Sequence, residues 1–466
     1  MGFVVSVTAD PVSPLGESRR PRATALRSVR PRPWVADAAL AVVGLGFGVI
    51  VGLAISAETH SELVAPGGTA TFIGSVTGLV GMYLALVMVL LVSRIPLVER
   101  VLGLGGLMRW HRWLAPWPLS LIALHAIFIT IGYADAARTG VGHEIGSLLS
   151  GYPGMVTATV ALGLMMAAGI ASIRAIRTRL RRETWWTLHL VMYLALALSF
   201  SHVIALGPSF VGHPLTQVVW SVVWAATAGM VITFRIGLPA FRSLRHRLRV
   251  VEVRTETDGV VSVICEGRRL DRLPVSGGQF LCWRFLQQGI WWQAHPYSLS
   301  ARPTPTHLRL TVKNSGDHSG GLATLKPGTR VAIEGPYGSF TSHARRRERA
   351  VLIAGGIGVT AMRALLEDLP RSTRPLVILR VSRDQDAVLT EELAELTRRA
   401  GGKLHVIVGS REKARFNADR LRQLVPGIVE RDVYVCGHEE FVSDMVALVQ
   451  GVGVPADAVH YEAYSL

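Results

Sequence analysis

Four histidines stand in stretches that are otherwise almost wholly apolar: His111 and His125 in one, His189 and His202 in another. An ionisable side chain in such a setting is costly to bury and marks a function. His111 and His125 are 14 residues apart and His189 and His202 are 13 apart. On α-helices these separations are about 21 and about 20 Å along the axis. Two neighbouring helices would then pair His111 with His189 at one level and His125 with His202 at another. Imidazole is an axial ligand of haem iron, and an iron with both axial positions filled favours electron transfer. The expected centre is therefore two stacked haems with His111, His125, His189 and His202 as metal ligands. The chain has no Cys-x-x-Cys-His, so these haems are not of c type. One angle is awkward. The first pair falls within about 40° of one helix face, but 13 residues leave the second about 140° apart. Local overwinding, or approach from different flanks, must absorb it. The competing reading is four unrelated polar contacts between helices.

Six apolar runs supply the helices, at about 36–57, 69–93, 113–134, 153–173, 185–206 and 214–235. Each is near or above the roughly 20 residues needed to cross a bilayer. The 466 residues carry only 18% charged side chains, and mean hydropathy is +0.36, too apolar for an ordinary soluble or disordered chain. The net charge of +16 comes from 49 Lys and Arg against 33 Asp and Glu. Its placement is a topology signal rather than a nucleic-acid footprint. Arg19 to Arg32, Arg94 to Arg112, Arg174 to Arg182 and Arg235 to Arg249 cluster in alternate loops, whereas the other loops carry Glu58, Glu62, Asp135 and Glu144. Both termini are thereby expected on the cytoplasmic side of the cell membrane. His60, His143 and His213 fall in or beside the outer loops. Three cysteines, Cys265, Cys282 and Cys436, are too widely spaced for a disulfide framework or a zinc site of the Cys-x-x-Cys type.

After Arg249 the pattern changes to short apolar alternations broken by Gly and Pro. Residues 250–345 read as a small β-barrel. From Ala350 strands and helices alternate, as in a parallel α/β sheet. Ala354-Gly-Gly-Ile-Gly-Val-Thr360 is a strand–turn–helix junction. Its glycines permit close backbone approach, and the helix start offers N–H groups to a pyrophosphate. His295-Pro-Tyr-Ser-Leu-Ser300 lies upstream and Val435-Cys436-Gly437 downstream. The fold class is a multidomain membrane protein: a flexible tail (1–33), a six-helix transmembrane haem-binding bundle (34–240), a β-barrel domain (246–345), which the resemblance given next makes the FAD domain, and an α/β parallel-sheet nucleotide-binding domain (348–466).

This combination resembles the ferric reductase and NADPH oxidase superfamily of transmembrane flavocytochromes b, whose C-terminal half is ferredoxin-NADP reductase-like. The resemblance implies two b-type haems on the four histidines. It makes His295, Pro296, Tyr297, Ser298, Leu299 and Ser300 the flavin motif, with Tyr297 stacked on the isoalloxazine, Ser298 near flavin N5 and His295 facing the diphosphate. Gly316-Asp-His-Ser319 resembles the segment whose hydroxyl meets that diphosphate, so Ser319 is a candidate, and Lys313 joins the cofactor-binding set. Glu334-Gly-Pro-Tyr-Gly338 resembles the junction of the flavin and nucleotide domains. Gly355, Gly356, Gly358, Val359 and Thr360 match the pyridine-nucleotide turn, Cys436 and Gly437 the strand end beside the nicotinamide, and Tyr464 the C-terminal aromatic that covers the flavin. Ser410 and Arg411, with Arg415, resemble a reader of the 2′-phosphate, which favours NADPH over NADH. Ala361 and His438 stand where many members have Pro, and two residues follow Tyr464. No EF-hand loop of the D-x-D-x-DG type occurs.

The expected activity is transfer of electrons from cytoplasmic NADPH through FAD and two haems to an extracytoplasmic acceptor, ferric chelate or molecular oxygen. The alternatives are a partner protein or quinone as acceptor, or a transporter or membrane anchor with an inactive reductase domain.

Overall fold

A computed structural model describes residues 4–7, 33–57, 59–383, 386–409 and 416–464. The chain forms two compact units. One is Arg32–Arg235. The other is Ile236–Leu466 together with the N-terminal strand β1 (Val4–Val7).

The first unit is helical: α1 (Pro33–Ser56), α2 (His60–Val64), α3 (Gly68–Val92), α4 (Pro96–Leu114), α5 (Pro116–Ala137), α6 (Val141–Gly151), α7 (Met155–Ser172), α8 (Arg174–Arg177), α9 (Arg182–Leu206) and α10 (Pro214–Val231). Prolines open α4, α5 and α10, where the missing N–H is no loss. A capping box starts α2: Thr59 Oγ1 accepts from the Glu62 N–H, and the Glu62 carboxylate accepts from the Thr59 N–H. Six helical segments are long and apolar enough to cross a membrane: Asp37–Ser56, Gly68–Val92, Leu102–Ala137, Met155–Ser172, Glu183–Leu206 and Pro214–His246. The third is longer than the expected run, because Ala115 between α4 and α5 keeps helical angles, φ −52° and ψ −39°. His111 therefore lies inside that segment rather than just ahead of it.

Helix α3 packs along α5, and α7 along α9. Leu79, Met82, Leu86, Ile122, Ala161, Met165, Ala195 and Leu196 form the shared core. Val42, Leu45, Val218 and Val222 are exposed around it. In a bilayer such an outer surface meets lipid rather than water, and helices keep every backbone group bonded there.

The second unit begins with a π-helical turn (Ile232–Gly237, shared with the end of the first) and α11 (Leu238–His246). The flavin-domain barrel expected from the alternations is resolved as two three-stranded antiparallel sheets. One has the order β2 (Arg249–Thr257), β3 (Val260–Glu266), β6 (His307–Lys313). The other has the order β5 (His295–Ser298), β4 (Phe280–Phe285), β7 (Val331–Tyr337). They touch through single bridges, Arg249 with Arg330 and Leu299 with Leu310. Just past the second contact, the Arg302 N–H donates to the Glu367 carboxylate at 2.6 Å instead of to a strand. Trp283, Phe285, Leu299, Leu308 and Leu310 fill the space between the sheets.

The remaining strands form one six-stranded sheet, order β1, β10 (Lys403–Val408), β9 (Leu376–Val381), β8 (Ala350–Gly355), β11 (Asp432–His438), β12 (Val459–Tyr464). All pairs are parallel except β1 with β10. Around it lie α13 (Val359–Asp368), α14 (Thr390–Arg399), α15 (Ala418–Leu424) and α16 (Glu439–Gly451), while α12 (Asp317–Gly321) belongs to the flavin sheets. The N-terminal tail is thus not without structure throughout. Three of the four residues Val4-Val-Ser-Val7 are β-branched; the segment pairs with the edge of β10, and an edge strand offers unpaired backbone groups to such a segment.

Candidate functional site

The four membrane histidines meet in two pairs. The rings of His111 and His189 are 6.1 Å apart between centroids, with planes at 77°. Those of His125 and His202 are 6.2 Å apart at 68°. Two imidazoles facing each other across one metal ion, each bond about 2 Å long, have centroids about 6.3 Å apart. Helix α9 runs unbroken from Arg182 to Leu206 and carries one histidine of each pair, His189 and His202.

The second ring nitrogens favour the same role. His125 Nδ1 donates to Gly74 O at 2.8 Å and His111 Nδ1 to Met88 O at 3.4 Å. Ser172 Oγ gives its proton to Ala168 O, so it accepts from His189 Nδ1, at 3.4 Å. A donating Nδ1–H leaves the Nε2 lone pair for a metal, which is how ligating histidines are held. His202 Nδ1 is buried with no such partner. Among the described residues no group of three or more His, Cys, Asp or Glu could hold a metal ion. Axial haem ligation needs only pairs, and these two pairs fit it. Gly78 on α3 makes the niche for His125: a Cβ there would stand 2.4 Å from His125 Nδ1. G78A is therefore expected to displace the imidazole and with it any haem that His125 would hold, read from the visible spectrum of the purified protein.

In the second unit, β5 carries the flavin segment. Trp283 Nε1 donates to Tyr297 O at 2.9 Å and fixes that strand. Tyr297 OH and His318 Nδ1 are hydrogen-bonded at 2.9 Å, and the His318 ring stacks on His295 at 3.7 Å. Pro296 is exposed, whereas Leu299 and Ser300 are fully buried. Ser319 closes its own turn, donating to Gly316 O and accepting from the Ser315 N–H. Lys313 pairs with Asp386 at 3.4 Å.

Ser298, Tyr464 and Cys436 converge from β5, β12 and β11. Tyr464 OH donates to Ser298 Oγ at 3.0 Å, and Cys436 Sγ lies 3.4 Å from Tyr464 OH. Burial raises the Cys436 thiol and the Tyr464 phenol well above their usual ranges, so both are neutral donors. Glu462 sits opposite Cys436 in the strand pairing. Burial pushes its carboxyl up to about 7. The folded chain thus holds a proton that the unfolded chain has released, and the stability this contributes is lost as pH rises through about 7. A rate of flavin reduction that changes with pH around 7, and an E462Q variant that flattens the change, are expected from stopped-flow measurements.

The glycine turn joins β8 to α13. Gly356 has φ +53°. A Cβ on Gly358 would lie 2.3 Å from Cys436 O, so the start of α13 sits hard against the end of β11 beside Gly437. Val359 points into the core, and Thr360 Oγ1 donates to Ile357 O. Their backbone N–H groups, not their side chains, are what a pyrophosphate could meet. Ser410, Arg411 and Arg415 lie outside the described residues.

Sequence reasoning missed several groups. Glu462 carried only the weak signal of alternating with Tyr464 on one strand. Gly74 and Gly78 have helical four-residue spacing beside a histidine helix, a pattern that permits close packing. The charged network around Ser300 had no local signal. Arg309 binds Glu392 with both terminal nitrogens, at 2.9 and 2.8 Å, and Arg363 reaches Glu392 and Glu367 at 2.6 Å. Both arginines also donate to Ser300 O. The flavin segment is thereby clamped to α13 and α14.

Residues 77–200 match the ferric reductase like transmembrane component, residues 245–341 an FAD-binding domain and residues 352–447 an oxidoreductase NAD-binding domain. Fold and matches together define a multi-pass transmembrane oxidoreductase with FAD- and NAD(P)-binding domains. In this order they are the ferric reductase and NADPH oxidase-like architecture with a ferredoxin-NADP reductase-like C-terminal half. Among curated relatives, a flavohemoprotein of Xylella fastidiosa is 28% identical over 207 residues, 41% of this chain and 51% of the relative. One of Deinococcus radiodurans is 28% identical over 283 residues, 52% and 67% respectively. The chain thus spans about half to two thirds of these relatives. The FAD/NAD-binding domain of nitric oxide dioxygenase from Vibrio cholerae is similar at 22% identity and a TM-score of 0.40, over 47% of this chain and 99% of that one.

Proposed function

We propose that this protein carries electrons from cytoplasmic NADPH through FAD and two b-type haems to an acceptor across the cell membrane, ferric chelate or molecular oxygen. The two histidine pairs, at 6.1 and 6.2 Å, are the observation that carries this reading. Two levels of paired imidazoles on helices that cross a bilayer have no use in a membrane anchor. The alternation of Arg-rich loops puts both termini and the reductase half on the cytoplasmic side.

Bound flavin would supply the conversion of a hydride into single electrons, and bound haems their one-electron transfer. The chain's own residues position and exclude. Tyr297, Tyr464 and Ser298 would hold the flavin ring, and His295 and Ser319 its diphosphate. The turn Gly355–Thr360 takes the pyrophosphate, and Cys436 and Gly437 border the nicotinamide. Ser410, Arg411 and Arg415 read the 2′-phosphate. His111 and His189 hold one haem, His125 and His202 the other.

The test is a visible spectrum of the detergent-solubilised protein with NADPH, first without air. Reduced b-haem bands are expected. Their rapid loss on admitting air, with superoxide formed, assigns oxygen as acceptor; persistence in air with loss on adding ferric chelate assigns metal reduction. Absence of haem bands despite haem supply overturns the proposal.

A further inference from the structure

The two histidine pairs are not built alike. Trp185, one helical turn before His189, stacks on its ring at 5.2 Å with planes 22° apart. Trp185 Nε1 donates to Ser172 Oγ at 3.2 Å, the same oxygen that accepts from His189 Nδ1. The Arg177 guanidinium lies 4.4 Å from the centre of the Trp185 ring. Three groups from the end of α7, α8 and the first turn of α9 therefore converge on one imidazole. His202 has no counterpart among the described residues: its only ring contact is His125, and its Nδ1 is buried without a partner.

We infer that Trp185, Ser172 and Arg177 are positioning residues that lock the His189 imidazole plane and raise the reduction potential of the haem it holds relative to a site lacking the arginine charge. This rests on the haem reading above. Stacking at i, i+4 fixes the ring about one axis, and the serine bond fixes it about the other. Arg is charged at every accessible pH. A fixed cation beside the ligand favours the reduced iron, which carries one positive charge fewer than the oxidised form. The indole touches both the guanidinium and the imidazole and is largely apolar, so the field is screened less beside it than across solvent.

The test is potentiometric titration of the haem bands in the purified full-length protein. The haem at this level is the component missing from the spectrum of H189A. R177Q alters an exposed side chain and is expected to leave two haems bound. It should shift the reduction equilibrium of that haem about tenfold towards the oxidised form, about 59 mV for one electron, and leave the other haem unmoved. W185F keeps a stacking ring and should retain most of the wild-type potential. W185L should lower it, and adding R177Q to W185L should change little more. R177Q leaving both midpoints unmoved, or moving both equally, overturns the inference while the two-haem reading stands. A wild-type protein without two b-type haems overturns both.

Discussion

On the proposed two-haem path, H189A is expected to remove one of the two b-type haems and to stop electron flow to any acceptor on the far side, while NADPH still reduces the flavin. Loss of an outer-shell partner of a metal site costs roughly 10–100-fold in affinity or activity, and loss of the ligand itself should exceed that. H202A at the other pair should behave likewise towards the acceptor. The two variants should differ in what remains reducible. His111 and His189 stand at the ends of their spans nearest the Arg-rich loops, the proposed cytoplasmic side; on that reading, with His189 gone the surviving haem is cut off from the flavin, and with His202 gone the surviving haem still fills with electrons. Rapid-mixing spectra with NADPH, recorded without air, separate these cases. Full acceptor reduction by either variant would remove the pairs from the electron path. The geometry supports this expectation, because each pair is separated by one metal's width, α9 carries one histidine of each level, and α4 and α5 carry the other two.

The second large effect is expected at Gly358. Its φ of −57° suits any residue, so the constraint is space alone. A methyl group there meets Cys436 O at 2.3 Å and Gly437 Cα at 2.9 Å, and both are backbone atoms of a central strand. G358A must push α13 away from β11. Overpacking of this kind typically costs about 1–3 kcal/mol. The displaced helix start also withdraws the N–H groups offered to the pyrophosphate. A lower Tm and much slower flavin reduction by NADPH, with dithionite reduction of the haems intact, are the expected readings. An unchanged KM for NADPH would show that the turn does not touch the nucleotide.

Particular elements show how far sequence reasoning reaches. The six membrane runs were legible because hydropathy is a local property, summed over about 20 residues. The two levels of histidines followed from helical rise, which is also local. The angular mismatch on α9 was visible as arithmetic, but its solution was not, because it depends on which flank of α9 each partner helix occupies. The flavin segment and the glycine turn were recognisable from residue order. The joining of the two flavin sheets was not, since single bridges at Leu299 and Arg249 depend on how far each edge extends. The strand at Val4–Val7 was hidden because its partner β10 lies some four hundred residues away in the chain.

The sequence by itself determined the membrane crossing, the order of the domains, and the residue types that can hold iron, flavin and nucleotide. Each of these is written in periodicity or in a short motif. Only the tertiary structure decided which groups act on one another across the chain. It set Gly78 against His125, Tyr464 against Ser298 and Cys436, Glu462 in a site that keeps its carboxyl protonated up to about 7, and Trp185 with Ser172 around His189. The physical reason is that burial and hydrogen bonding are properties of neighbours in space. A histidine has the same chemistry at every position in a sequence, and its second nitrogen acquires a role only from the carbonyl, hydroxyl or ring that the fold places beside it.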